Sequence, residues 1–274
     1  MTLKTWNNIN SILNRKQNND LNTKIIDHLI IDGNKITSDS QIATHFNKFF
    51  EEIGHTTASN IPAVNIDYHD FLPPTNNTDF SFNTITVDKI EKIISDLKPK
   101  HSTGHDHINT VLIKHLKHEL SGPLTLITNQ MITTSIFPDQ LKIAKIKPIH
   151  KKDNKHTCTN YRPISLLPSI SKILEKVMLL QLDKHFTNHQ LYFKSQYGFR
   201  NKRSTELALI EFTDKIIRNM DQNISPTAIF LDLSKAFDSL NHNILINKLK
   251  HYGIRDTSLN LCISYLTNRK QLKI

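Results

Sequence analysis

The chain has 274 residues, 38 % of them hydrophobic and 22 % charged, which is enough for one large or two small domains with a real core. Six Gly and ten Pro exclude a collagen-like or low-complexity chain. Two cysteines about a hundred residues apart, Cys158 and Cys262, exclude a disulfide framework. The start, MTLKTWNNIN, has no apolar signal region, and no apolar run reaches membrane-spanning length. The expectation is an intracellular chain of nucleus or cytoplasm, not secreted and without a membrane partner.

Residues 1 to about 35 are Asn-rich and carry weak signals. From Ser40 the apolar residues Ile42, Phe46, Phe49, Phe50 and Ile53 fall on one helical face, and Gly54 is the expected stop. Residues 55–83, with Pro62, Pro73, Pro74 and the TNNT run, read as a linker. Thr86 is placed to cap a helix carrying Ile90, Ile93, Ile94 and Leu97, which Pro99 ends. After the polar loop KPKHSTGHDHIN, helices are expected over 108–120 and 123–134.

Ile143 to Lys151 reads as a strand with basic residues between apolar ones, and Tyr161 to Leu166 as its returning partner. Ser169 is the expected cap of a helix burying Ile170, Ile173, Leu174, Val177 and Met178. A further helix covers about 204–220. Pro226 then opens an apolar strand, TAIFLDL, followed by a helix through Ile244, Leu245 and Leu249 that stops at Gly253. A last helix spans about 257–267, and NRKQLKI looks like the start of a strand. Strands and helices do not alternate as βα units, so the class is α+β, mostly helical with a small antiparallel sheet.

The net charge of +10 is concentrated. From Leu141 to Arg162 seven basic residues (Lys142, Lys145, Lys147, Lys151, Lys152, Lys155, Arg162) face Asp153 alone. From Lys194 to Arg203, Lys194, Arg200, Lys202 and Arg203 meet no acid. These two windows account for the whole excess, which suits a polyanionic partner as well as a solvated face.

Asp232 closes an apolar run, AIFLDL, where a carboxylate is costly unless paired, capped or metal-bound. Taken alone, it could simply cap the SKAFDSL turn that follows. The longer sequence FLDLSKAFDSLNHNIL, however, resembles the first catalytic motif of reverse transcriptases, in the form carried by jockey-like non-LTR retrotransposons. NYRPISLLPSISKILEKVM, with IKPIHKKDNK before it, is similar to that family's fingers motif, and QYGFRNKRST to its template and primer segment. The KPKHSTGHDHIN loop resembles the opening of these polymerase domains, and HLIIDGNKITSDSQIATHFNKFFEEIG their upstream connector. The likeness covers about residues 25–274 in order.

The resemblance implies a right-hand polymerase: a connector over 1–83, fingers over 84–203 and part of the palm over 204–274. It implies that Asp232 and the carbonyl of Leu233 bind Mg²⁺, with Asp232 as the catalytic residue. Lys151 and Arg162 would meet the incoming deoxynucleoside triphosphate, and Phe237 would gate against a ribose 2′-OH. Lys147, Lys152, Phe199 and Arg200 would touch the RNA template and DNA primer. Asp238 is assigned local structure rather than a metal.

The family's Tyr-Ala-Asp-Asp element and Pro-Gln-Gly segment are not found in the chain, and neither is a thumb or an upstream endonuclease. The expectation is therefore a truncated element or partial gene, binding nucleic acid without competent synthesis. The alternative is a catalytically dead nucleic-acid-binding remnant. A zinc module on His101, His105 and His107 with Cys158 or His156 fits no standard ligand spacing. A P-loop and a hydrolase nucleophile elbow are both missing.

Overall fold

A computed structural model describes residues 26–59, 67–73, 78–233 and 236–272. The Asn-rich stretch 1–25, Pro62, Pro74, and Ser234 and Lys235 of the SKAFDSL turn lie outside the described residues.

The chain enters through a hairpin, β1 (Leu29–Ile31) and β2 (Asn34–Ile36), in which Leu29 pairs with Ile36. Asp32 and Gly33 both take positive φ, 50° and 80°, as a two-residue hairpin turn with right-handed strand twist requires. The Asp-Gly signal was legible in the sequence, yet no strands were expected there.

Helix α1 (Asp39–Ser59) buries Ile42, Phe46, Phe50 and Ile53. It runs straight through Gly54, which is therefore not a stop. Gly54 instead sits against the backbone carbonyl of Asp238, where any Cβ would collide. Its small size serves close approach rather than helix termination.

The expected basic hairpin is present. β3 (Ile143–His150) pairs antiparallel with β4 (Tyr161–Leu166), and β5 (Lys270–Leu272) joins β3 in parallel, giving the order β4-β3-β5. The sheet is thus mixed rather than purely antiparallel. Ala144, Ile146 and Tyr161 turn one face toward Leu29, Ile42, Phe46 and Phe50 in a small separate core. Phe46 meets the Tyr161 ring edge-on, centroids 4.9 Å apart.

The main core is helical. It joins α2 (Val87–Asp96), α3 (Thr110–His115), α4 (Lys117–Thr134), α5 (Ser169–Asn188) and α8 (Asp256–Leu266) around Ile94, Phe137, Leu174 and Leu261. Between these lie α6 (Thr205–Asp221) and α7 (His242–His251). Three local expectations need correction. The break between α3 and α4 falls at Leu116, and α4 passes through Pro123, whose missing N–H leaves one helical bond unmade. Pro168, not Ser169, occupies the cap position of α5. Ser169 is buried and its hydroxyl donates to the Ile108 carbonyl at 2.9 Å, pinning the KPKHSTGHDHIN loop to the start of α5.

The supposed linker is also partly core. Phe80 and Phe82 are buried, and Phe80 bridges to Ile254. The Asn129 amide bonds both the N–H and C=O of Ile85 (2.7 and 3.0 Å), and the Gln181 amide does the same for Asn83 (2.8 and 2.9 Å). Two side-chain amides thus supply the pairing that a neighbouring strand would. Gly253 ends α7 as expected, at φ 89°, where the Thr78 carbonyl leaves no room for a Cβ. The main core therefore takes residues from all three of the expected segments.

Glu175 ties α5 to α8 and to the residues leading into β5. It accepts from Ser171 Oγ at 3.1 Å and Tyr265 OH at 3.3 Å, with Arg269 Nη2 at 3.9 Å. Burial pushes its carboxyl above the usual range, against the pull of Ser171 and Arg269. A carboxyl raised in the folded state adds stability below its unfolded value, and that stability fades as pH rises through the folded value. Glu175→Gln is therefore expected to raise the melting temperature at neutral pH. The gain should shrink toward about pH 4, where the parent carboxyl is protonated in both states. Paired thermal melts at the two pH values check this, and an equal gain at both would overturn it.

Candidate nucleotide and nucleic-acid interface

Alternation along β3 decides which lysines can act together. Ala144 and Ile146 face the small core, so Lys145, Lys147 and Ile149 face away from it. Arg162 lies opposite Ile149, and Ile164 opposite Lys147, which puts Arg162 diagonal to Lys147 on the outward face. The Lys151 amide donates to the Asn160 carbonyl at 2.8 Å, extending the ladder one step and keeping Lys151 in the same parity. Lys147, Lys151, Lys152 and Arg162 are all exposed. The result is a cationic face of Lys145, Lys147, Lys151 and Arg162, with Lys152 at its turn.

Lys142 does not belong to this face. It is 3 % exposed, and its ammonium donates to Asp139 Oδ1 at 2.8 Å. That bond holds the Asp139 carboxyl below its usual range. The connecting turn is built by its own side chains. Tyr161 OH donates to the Lys155 carbonyl at 2.6 Å, and Asn160 Nδ2 to the Asn154 carbonyl at 2.9 Å.

The QYGFR segment is held from behind by Tyr192. Its hydroxyl donates to Asp183 at 2.8 Å, and its pKa is pushed up to about 12 by burial and by that carboxylate. Arg200 stacks on the Tyr192 ring at 4.6 Å and donates to the Phe193 carbonyl, while Arg203 lies over Tyr197 at 5.1 Å. Phe199, at φ 59° and 90 % exposed, meets the Phe237 ring edge-on at 5.8 Å. Two residues singled out from separate motifs are thus brought into contact. Tyr192 was not foreseen, because nothing in its sequence neighbourhood marks it as a support.

The Asp232 segment departs from expectation. Residues 223–233 form no strand, and none of the described strands pairs with them. Ile229, Phe230 and Leu231 are 81 %, 81 % and 90 % exposed, and Asp232 and Leu233 are exposed as well. Phe230 touches Phe212 of α6 at 5.5 Å between ring centroids. High strand propensity forms no strand without a partner to take up the backbone groups. The carboxylate therefore does not stand at the end of a sheet. Its donor chemistry nonetheless suits Mg²⁺: a carboxylate and the next carbonyl are hard oxygen ligands, and both residues are open to solvent.

The mixed helical fold thus carries a basic β-hairpin, β3–β4, and, elsewhere in the chain, an exposed Asp motif. Residues 149–273 match the family described as reverse transcriptase (RNA-dependent DNA polymerase). The chain is 33 % identical over 68 % of its length to a probable RNA-directed DNA polymerase from transposon BS of Drosophila melanogaster. It is 31 % identical over 61 % of its length to the RNA-directed DNA polymerase from the mobile element jockey of the same species. The corresponding protein of transposon X-element is 30 % identical over 66 % of the chain. The chain spans about a fifth of the length of these relatives, 20 %, 18 % and 20 % respectively. Over residues 149–273 it carries a reverse-transcriptase domain, similar to those of these non-LTR mobile elements.

Proposed function

We propose that this chain supplies the fingers and the Asp-bearing part of the palm to an RNA-directed DNA polymerase, with the boundaries 84–203 and 204–274. The observation that carries the reading is the outward cationic face of the β3–β4 hairpin, in a chain matching the family over 149–273. Lys151 and Arg162 would grip the triphosphate of an incoming deoxynucleotide, placing positive charge where the transition state gathers negative charge. Lys147, Lys152, Phe199 and Arg200 would hold template and primer, the cations by phosphate and Phe199 by stacking. Phe237, held edge-on to Phe199, would stand against a ribose 2′-OH.

Asp232 and the Leu233 carbonyl would hold Mg²⁺, which supplies charge to the attacking and leaving oxygens of the transfer. The chain contains no Asp-Asp pair. One carboxylate and one carbonyl hold two such ions poorly against their preference for water. Taken alone, the chain binds nucleic acid rather than extending it.

The test is titration of the purified chain with labelled RNA–DNA duplex at rising salt. Three phosphate contacts, by Lys147, Lys152 and Arg200, predict affinity falling about 40-fold between roughly 50 and 200 mM salt, with little sequence preference. Lys147→Ala should lower the slope of log affinity against log salt by about one. Binding that is absent at low salt, or indifferent to salt, would sink the assignment.

A further inference from the structure

We propose that Asp27, His28 and His156 form a binding site for one divalent transition-metal ion of the zinc type, fastening the turn of the fingers hairpin to the chain entering β1. The inference is independent of the polymerase reading. The carboxylate of Asp27 and one ring nitrogen from each histidine lie within 4.8 Å of one another, close enough to share one ion. His28 Nδ1 is 2.9 Å from Asp27 Oδ2, and His156 Nδ1 is 3.7 Å from Asp27 Oδ1. Among the described residues this is the one group of three or more such ligands within reach of a single ion. His101, His105 and His107 form none.

The donor set selects the ion. Two imidazoles and one carboxylate suit Zn²⁺ and its neighbours, whereas Mg²⁺ and Ca²⁺ prefer all-oxygen shells. Three protein ligands leave a fourth tetrahedral position for water. The backbone already holds the two segments in place: the Ile30 amide donates to the His156 carbonyl at 2.9 Å, and His156 Nδ1 lies 3.2 Å from the His28 carbonyl.

Without metal, protons at the Nδ1 positions serve these contacts, and the rings stack with centroids 3.7 Å apart and planes 14° from parallel. Binding moves each ring proton to Nε2 or releases it to solvent, so that both Nδ1 lone pairs face the ion. The rings must turn out of their stack to do so. Side-chain exposures of 16 % for His28, 32 % for His156 and 69 % for Asp27 leave room for that turn and for entry. The ion would cross-link residues 128 positions apart, at the root of the turn that carries Lys151 and Lys152.

Calorimetric titration of the purified chain with Zn²⁺ at neutral pH is expected to show one strong site. His28→Ala and His156→Ala should each weaken it more than about tenfold, while His101→Ala leaves it unchanged. Co²⁺ in its place should give the intense visible bands of a four-coordinate site. As a check that needs no variant, adding Zn²⁺ to the parent chain should slow hydrogen exchange at the Ile30 amide. The proposal is overturned if His156→Ala binds Zn²⁺ as the parent does, which would mean capture by scattered histidines. It is equally overturned if Ile30 exchange does not respond to the ion.

Discussion

Purified as residues 1–274, the chain is expected to show no primer extension with Mg²⁺ and deoxynucleoside triphosphates. Joined in frame to the Asp-Asp hairpin and thumb of a relative such as the jockey polymerase, it should extend a primer. In that chimera Asp232→Asn is expected to lower the rate by about 10³-fold or more, since one metal ligand carries several kcal/mol of transition-state stabilisation. Asp238→Asn should do far less, since Asp238 is assigned to local structure rather than to a metal. Extension by the chain alone that vanishes in Asp232→Asn would mean the remaining carboxylates come from a second molecule. That result would refute the reading of this chain as a binding piece.

Amides of residues 227–232 should exchange with solvent at least about 10³-fold faster than those of residues 173–178 in α5. The first group lies in an unpaired, exposed segment, and the second in a helix whose Ile173, Leu174, Val177 and Met178 are all buried. In the chimera, a partner strand beside residues 227–232 should bring their protection up toward that of α5. Ile229, Phe230 and Leu231 supply the incentive, since burying a large apolar side chain is worth roughly 1.5–3 kcal/mol. Strong protection of 227–232 in the chain alone would show that the segment finds a partner by itself. While it stays uncovered, it and the outer side of α6, with Leu209, Ile210 and Met220, form an apolar surface that invites aggregation.

Much of the fold was legible because its signals are local. The helical spacing of Ile90, Ile93 and Ile94 and of Ile173, Leu174, Val177 and Met178 marked both helices and their buried faces. Alternation in IAKIKPIH and YRPISL marked the hairpin. Gly253 marked the end of α7, and the helix expected over about 204–220 is α6, whose Ser204 hydroxyl accepts from the Leu207 amide. The family resemblance rested on the same kind of local text, and residues 149–273 do match the reverse-transcriptase family.

The sequence by itself thus determined most of the helices, the basic hairpin and the family likeness, because periodicity and motif spacing are properties of neighbouring residues. Only the tertiary structure decided what depends on two distant segments meeting. Gly54 read as a helix stop until the Asp238 carbonyl was found against it, and Phe80 and Phe82 read as linker until Asn129 and Gln181 were found pairing the residues that follow. Lys142 counted as surface charge until Asp139 was found capturing it, and His28 and His156 had no relation until the two hairpins met. The same dependence explains TAIFLDL. Its composition is that of a strand, but a strand is a relation between two segments, and none of the described strands completes it.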